Sequence, residues 1–180
     1  PFFMEFRFMH PEVNELIRAP YFDTYLKLLD SASIEEGLNH SSKELRDLLE
    51  TIPDDQLDYS YAPGKWTVKQ VIQHVIETEM IFNYRAIRIG REDVTQNLDG
   101  FEENHFAANA QTADMTNADL AEFFTAVRMS TKHLVSTFSA TQLDKSGIAS
   151  GHYVQVKALF LIQAGHTLHH LNVIRERYLK

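Results

Sequence analysis

Two histidines four positions apart have the residue type and the spacing of metal ligands. His166 and His170 occur in the segment Gly165-His166-Thr167-Leu168-His169-His170, and positions i and i+4 of an α-helix lie on the same face. A neutral imidazole binds zinc, nickel, copper or iron through one ring nitrogen. The pair therefore predicts two ligands on one helix, with packing or surface chemistry as the commoner alternative. His169 lies beside them and is expected to support a ligand or contact a substrate.

A third histidine, His74, borders the apolar stripe of an earlier segment, Gln73-His74-Val75-Ile76-Glu77. Metal sites in helical bundles are built from side chains on facing helices, so His74 can join His166 and His170 if the two helices pack together. Three protein ligands leave one position of a tetrahedral ion open, as in catalytic sites. Glu77, one turn from His74, is predicted to be a fourth ligand or a base, with a solvent-exposed role as the alternative.

Other kinds of site lack their signatures. The chain has no cysteine, which excludes a disulfide framework, a thiolate zinc site and a cysteine nucleophile. The zincin motif His-Glu-x-x-His, a glycine-rich phosphate loop and a Gly-x-Ser-x-Gly elbow are all missing from the sequence. A ferritin-like di-iron bundle needs two Glu-x-x-His motifs, and the sequence offers one, from Glu102 to His105.

The remaining polar candidates have simpler interpretations. Intrahelical ion pairing is expected to explain the charged residues of the second predicted helix, which are Glu77, Glu79, Arg85 and Arg88. Surface positions are predicted for four histidines, which are His10, His40, His133 and His152. Trp66, the single tryptophan, is expected to pack where the second helix begins.

The composition limits the class of protein. The chain has 180 residues, 44% of them hydrophobic, and a formal net charge of −8, which predicts one domain, residues 1–180, with a substantial core. A net acidic chain lacks the concentrated basic surface that nucleic acid requires. No apolar run reaches the ~20 residues of a membrane span, and residues 1–7 have the wrong charge order for a secretory signal. We therefore expect a cytoplasmic protein without nucleic acid or membrane as a partner.

Four segments carry apolar residues at helical spacing, with few glycines or prolines to interrupt them. Their predicted bounds are Ser33 to Ile52, Thr67 to Gly90, Thr116 to Phe138 and Val154 to Tyr178. Because amphipathic helices of this length are marginal alone, they must pack on one another. The sequence thus predicts an all-α fold, an antiparallel four-helix bundle with a core from about residue 33 to 178. The upstream piece from Tyr21 to Asp30 is expected to be a short helix or a lead-in.

The connection between the second and third predicted helices, Arg91 to Met115, is unusually long for a compact domain. It is rich in Asn, Asp, Gln and Ala, and Phe101 and Phe106 are candidate anchors. Connections of this length are commonly lids, crossovers or mobile segments. We expect this one to have such a role.

Several short segments stand in a characteristic order along the chain. They are Ala62-Pro63-Gly64-Lys65-Trp66-Thr67-Val68-Lys69-Gln70, His74 with Glu77-Thr78-Glu79, Phe82-Asn83-Tyr84-Arg85, Ala164-Gly165-His166-Thr167-Leu168-His169-His170-Leu171-Asn172 and Arg175-Glu176-Arg177-Tyr178. In this order, and with the long connection between them, they resemble the DinB/YfiT-like superfamily of metal-binding four-helix bundles. The resemblance covers roughly Ser33 to Tyr178.

The resemblance implies a metal site and an assembly. The three ligands of the family map onto His74, His166 and His170, and the ion is expected to be divalent, zinc or nickel, with water completing its shell. Many members are homodimers, so a homodimer is expected here. The segment from Asn97 to Phe106 is similar to the family segment near the site opening, which makes His105 a candidate contact.

Three functions are compatible with this site. The leading hypothesis is a metal-dependent transferase that joins a low-molecular-weight thiol, such as bacillithiol, to an electrophile, because characterised relatives include such thiol S-transferases. Since the chain has no cysteine, the thiol would come from a small-molecule cosubstrate, with His169 or Glu77 assisting proton transfer. The first alternative is a metal-dependent hydrolase that activates water. The second is a non-catalytic, metal-binding stress-response bundle.

Overall fold

The computed structural model describes residues 9–93 and 97–179, so residues 1–7, whose charge order was considered above, lie outside the described part. The α-helices in the described part are α1 (Pro11–Asn14), α2 (Asp23–Leu26), α3 (Ile34–Thr51), α4 (Val68–Gly90), α5 (Glu103–Asn109), α6 (Asn117–Val135), α7 (Ala140–Leu143) and α8 (Val156–Arg177). Short 3-10 turns are formed by Pro20–Phe22 and Asp54–Gln56. Two strands, β1 (Ser146–Ala149) and β2 (His152–Gln155), form an antiparallel hairpin.

The four predicted long helices correspond to α3, α4, α6 and α8. Their starts follow local capping chemistry, which is why the sequence located most of them within one residue. The Thr67 hydroxyl accepts from the backbone N–H of Gln70, whose side chain accepts from the Thr67 N–H, so the two residues form a capping box at the start of α4. At the start of α3, the hydroxyl of Ser33 accepts from the Glu36 N–H, which is half of such a box.

The core is built around α8. Every residue from 158 to 168 is buried, so the helix is enclosed on all sides instead of presenting one apolar stripe. It packs against α3 and α4 and also against α2, strand β2 and α7. None of the helices in residues 9–93 and 97–179 has the length and apolar content needed to cross a bilayer.

The predicted antiparallel arrangement of the bundle is only partly right. Glu79 of α4 contacts Arg128 of α6, and Arg91, at the end of α4, contacts Thr137, just after α6. Because the second contact lies farther along the chain in both helices, α4 and α6 run in the same direction. Helices α3 and α8 also run in the same direction, whereas α4 and α8 run antiparallel. A parallel pair needs a connection that returns along the bundle, and this is the role of the long segment between α4 and α6.

The hairpin was not predicted, and it corrects the start of the fourth helix. Val154 was placed in that helix, but Val154 and Gln155 belong to β2 and α8 begins only at Val156. The two-residue turn, Ser150 and Gly151, has φ values of 50° and 78°, which match the type I′ turn that joins twisted strands. Backbone bonds between Leu98 and the hairpin then attach the long connection to it.

Gly90 lies at the end of α4 but does not have the positive φ that glycine commonly adopts at a helix C-terminus. Among the glycines of the described residues only Gly64 and Gly151 have positive φ. A Cβ at Gly90 would lie within 2.2 Å of the Phe138 ring. The residue is therefore glycine because the segment after α6 packs directly on the end of α4.

Candidate metal centre

Three histidines from two antiparallel helices converge at one end of the bundle. His74 lies on α4, and His166 and His170 lie one turn apart on α8. Nε2 of His166 is 3.1 Å from Nε2 of His74 and 3.0 Å from Nε2 of His170. All three ring nitrogens lie within 4.8 Å of one another, and no carboxylate of the described residues shares the cluster. The trio predicted from helical spacing is thus brought together.

The arrangement of these nitrogens fits a cation better than it fits hydrogen bonds. One ring nitrogen has either a single lone pair or a single proton in the ring plane, so Nε2 of His166 cannot satisfy both of its neighbours well. Tetrahedral zinc binds imidazole nitrogen at about 2.0–2.1 Å, which places its ligands roughly 3.3 Å apart. The observed separations of 3.0 and 3.1 Å are close to that spacing.

Burial keeps these imidazoles neutral. It lowers the pKa of His74 from 6.5 to about 4. Burial also lowers the pKa of His166 and of His170 well below the ordinary value, and repulsion between the neighbouring histidines adds to the effect. Since a metal ligand must be deprotonated at the coordinating nitrogen, all three rings are in their ligating form at neutral pH.

Aromatic rings and one hydroxyl surround the three histidines. The Trp66 ring lies 4.9 Å from that of His74, and Oγ1 of Thr78 lies 3.5 Å from Nδ1 of His74. Tyr25 packs edge-on against His166, with ring centres 5.1 Å apart. The prediction that Trp66 packs at the start of α4 is therefore confirmed, and it also forms one wall of the site.

Sequence reasoning missed Tyr25, which lies on the short helix α2. A Cβ at position 165 would lie 2.4 Å from the Tyr25 carbonyl oxygen, so the glycine inside α8 allows the α2 backbone to approach the helix closely. The available signal was a glycine directly before His166, in a helix interior where glycine costs about 1 kcal/mol relative to alanine.

Two cavities reach the cluster from different sides. The Arg85 cavity, of about 350 Å³, is bordered by His74 and His166, and its other walls are Tyr21, Phe22, Tyr25, Thr78, Phe82, Arg85, Phe101, Glu102, Glu103 and Ser150. The Trp66 cavity, of about 200 Å³, is bordered by His170, and its other walls are Tyr61, Gly64, Lys65, Trp66, Val71, Asn104, Val173 and Tyr178. The cluster is therefore reachable by small molecules.

The two predicted catalytic residues lie near the cluster without joining it. The ring of His169 is half-buried, 5.1 Å from that of His170 and 5.2 Å from that of Tyr25, and burial lowers its pKa. The carboxylate of Glu77 accepts a hydrogen bond from Gln73. In the described residues, neither His169 nor Glu77 lines either cavity.

The other histidines lie away from the cluster. His40, His133 and His152 are exposed, as predicted, whereas His10 is half-buried. His105 is exposed on α5, and its backbone N–H donates to Glu102. No contact between His105 and the cluster occurs in the described residues, although Phe101 and Asn104 of the same connection line the two cavities.

A buried ion pair lies next to the three-histidine cluster, and it corrects a second expectation. Glu79 was expected to pair within its own helix, but Arg128 of α6 donates to both of its carboxylate oxygens at 2.8–3.1 Å. Arg128 also donates to Thr167, the neighbour of His166, and to Ser41 and the Leu38 carbonyl of α3. The pair thereby joins all four long helices.

The sequence of this chain is similar to those of several Bacillus proteins. Proteins of Bacillus cereus, Bacillus anthracis and Bacillus thuringiensis named "Putative metal-dependent hydrolase" are 27% identical over 103 residues, which is 57% of this chain and 51% of theirs. The chain thus spans about half the length of the curated relatives it matches.

The fold is also similar to a solved structure. YfiT from Bacillus subtilis, described as "a probable metal-dependent hydrolase with an unusual four-helix bundle topology", superposes with a TM-score of 0.66 over 90% of this chain and 88% of YfiT, at 18% identity. The sequence profile of the DinB superfamily matches residues 38–174 of this chain. Because that match covers α4, most of α8 and about three quarters of the chain, the protein belongs to the DinB superfamily.

Proposed function

We propose that this protein is a metal-dependent hydrolase of small molecules, with one divalent cation held by His74, His166 and His170. The observation that carries the proposal is the convergence of three buried, neutral imidazoles beside a cavity of about 350 Å³. Zinc or nickel suits an all-imidazole ligand set. The names of the Bacillus relatives favour hydrolysis within this class.

The three histidines are already neutral and held in place by neighbouring side chains before a substrate binds. A divalent cation at three imidazoles lowers the pKa of a water or thiol that contacts it. The histidines need no deprotonation, because burial already keeps them neutral. Trp66 and Tyr25 restrict the orientation of the rings, and Oγ1 of Thr78, 3.5 Å from His74 Nδ1, is placed to accept from the tautomer that leaves Nε2 free for a cation.

Proton transfer is assigned to His169, as the sequence suggested. Its half-buried ring lies beside His170 and has a lowered pKa, so it is neutral at pH 7 and able to accept a proton. Glu77 is the second candidate for proton transfer, because its carboxylate already accepts a hydrogen bond from the side chain of Gln73. Substitution of His169 by Gln should lower kcat and leave the metal content unchanged.

Thiol transfer is the second candidate, and the paired cavities favour it. A transferase needs space for two substrates, and His170 borders the Trp66 cavity while His74 and His166 border the Arg85 cavity. A thiol such as bacillithiol could then approach from one side and an electrophile from the other. The absence of cysteine from the chain means that the thiol must be supplied in solution.

Metal analysis of tag-free protein tests the site itself. We expect roughly one equivalent of zinc or nickel in the wild type and a large loss in His74→Ala and His170→Ala, with folding checked by circular dichroism. His133→Ala, at an exposed position of α6, is the matched control. Equal metal content in all four proteins would show that the site is wrong.

Activity assays then separate the functions. Turnover of esters, amides or lactones without added thiol, lost in His170→Ala, would support hydrolysis. Conjugation of bacillithiol to a chloronitrobenzene, above a chelated control, would support thiol transfer. Full metal occupancy with neither activity would favour the non-catalytic bundle.

We propose a homodimer, which the resemblance implies, and a cytoplasmic location, which the sequence composition suggests. The dimer is supported by an exposed apolar stripe on α4 formed by Met80, Tyr84 and Ile87, since such faces commonly mediate association. Light scattering of the purified protein should give twice the monomer mass.

A further inference from the structure

Arg85 is a buried cation without an anionic partner in the wall of the Arg85 cavity. Only 4% of its surface is exposed, and the ion pairs of the described residues do not include it. Burying an unpaired charge is costly, and Arg128, the other deeply buried arginine, has Glu79. The charge of Arg85 is therefore the unusual one.

The hydrogen bonds of Arg85 leave part of its guanidinium unused. Nη2 donates to the Asp99 carbonyl at 2.8 Å and to Oγ of Ser150 at 2.9 Å. Nε is buried without a partner, and no hydrogen bond involves Nη1 in residues 9–93 and 97–179. A guanidinium has five N–H donors arranged to match a carboxylate or a phosphate, and with Nε enclosed and Nη2 engaged, the N–H groups of Nη1 remain for a ligand.

Ser150, whose hydroxyl accepts a hydrogen bond from Arg85, has a backbone conformation that is unfavourable for serine. Its φ of 50° lies in the left-handed region, where a type I′ turn prefers Asn or Gly. Strain of this kind is concentrated at functional sites. Glycine would relax the turn, but it would remove the hydroxyl that positions the guanidinium.

The Arg85 cavity limits the shape of a ligand that contacts both Arg85 and the histidine cluster. His74, Thr78, Phe82 and Arg85 follow one face of α4, and the eleven positions from His74 to Arg85 span about 16 Å along the helix. Between the two ends the walls are largely aromatic, with Phe22, Phe82 and Phe101. A volume of about 350 Å³ suits a small molecule.

We propose that the substrate of the metal centre is an elongated small molecule with an apolar body and one anionic group, and that Arg85 binds the anionic group while the reactive bond lies at the histidines. This specificity rests on the proposed function. Two carboxylates, Glu102 and Glu103, also border the cavity, but both are exposed. The Glu102 carboxylate accepts from the backbone N–H groups of Asn104 and His105, so its charge is directed at the start of α5.

Ligand binding by metal-free and metal-loaded protein tests this proposal without measuring turnover. The probes are 4-phenylbutyrate, phenylphosphonate and the uncharged 4-phenylbutanamide, followed by calorimetry. We expect both anions to bind the metal-free protein and the amide to bind much more weakly. The comparison of the two anions shows whether a carboxylate or a phosphonate is preferred.

Substitution of Arg85 identifies the group that binds. Arg85→Gln removes the charge and keeps a polar, unbranched side chain, and it should weaken anion binding roughly tenfold or more. Ser150→Gly, which keeps the turn, should weaken it less. Arg88→Gln is the matched control, because Arg88 lies on the same helix but pairs with Asp93.

Two results would overturn the proposal. Anion binding that requires metal and is unchanged in Arg85→Gln would place the anion on the cation instead. Equal affinity for the acid and the amide in folded wild type would show that the charge of Arg85 serves only to hold Asp99 and Ser150. Failure of the metal site itself would be seen separately, as unchanged metal content in His170→Ala.

Discussion

His74, His166 and His170 can bind a cation only while the coordinating nitrogen of each ring carries no proton. Burial lowers all three pKa values in the folded protein, whereas an unfolded chain has ordinary values near 6.5. The unfolded state therefore binds more protons as the pH falls below about 6.5, and protonation favours unfolding.

We predict that metal-free protein loses stability between about pH 6.5 and pH 4, the folded pKa of His74. The free energy of unfolding should fall by at least about 1 kcal/mol per pH unit in the steep part of this range. Urea titrations of chelated protein at several pH values measure it. His74→Asn should flatten the dependence and His133→Asn should not, and a wild-type curve that is flat below pH 6 would contradict the prediction.

The residues that sequence reasoning identified differ in kind from those it missed. His166 and His170 were found because their spacing is local, and His74 because it borders an apolar stripe. Tyr25 and Arg85 were missed because their roles depend on contacts with α8 and with the hairpin. The contacts of Tyr25 and Arg85 are with segments that are distant in sequence, so no periodic pattern around either residue indicates them.

At the scale of elements, the pair of Glu79 and Arg128 ties α4 to α6. We predict that Glu79→Gln destabilises the protein by about 3–5 kcal/mol, because it leaves the buried guanidinium uncompensated. Thermal or chemical denaturation measures the loss. Glu44→Gln, which breaks the partly exposed pair with Arg175, should cost less than about 1 kcal/mol, and equal losses in the two variants would refute the distinction.

The contact between α2 and α8 gives a second prediction at this scale. Gly165→Ala should lower the melting temperature, because its Cβ would lie 2.4 Å from the Tyr25 carbonyl oxygen, and it should weaken metal binding by displacing the Tyr25 ring from His166. Gly37→Ala, whose Cβ would lie 3.3 Å from that of Ala164, should have a smaller effect. Stabilisation of Gly165→Ala by the better helix propensity of alanine would contradict this account.

Helix positions were predictable and helix directions were not. Thr67 and Gln70 mark the start of α4 through a local hydrogen-bond exchange, so the sequence contains that boundary. The parallel course of α4 and α6 depends on where the connection between them packs. The hairpin was missed because its strands are four residues each, too short for alternation to be distinguished from the helical pattern that follows.

For the whole molecule, the proposed cation between α4 and α8 would couple metal binding to global stability. We predict that zinc or nickel raises the melting temperature of wild-type protein, by an amount that grows with the logarithm of free metal above the Kd. Differential scanning calorimetry across a metal titration measures the shift. The same titration should leave His170→Ala unchanged, and an equal rise in that variant would point to binding elsewhere.

The order of synthesis adds a consequence for how the protein acquires its ion. His74 and His166 are 92 positions apart, so a ribosome that has already released α4 has yet to make α8. Until α8 has been made, the growing chain offers only one of the three imidazoles, His74, so capture of a cation by all three must wait until α8 has docked on α4.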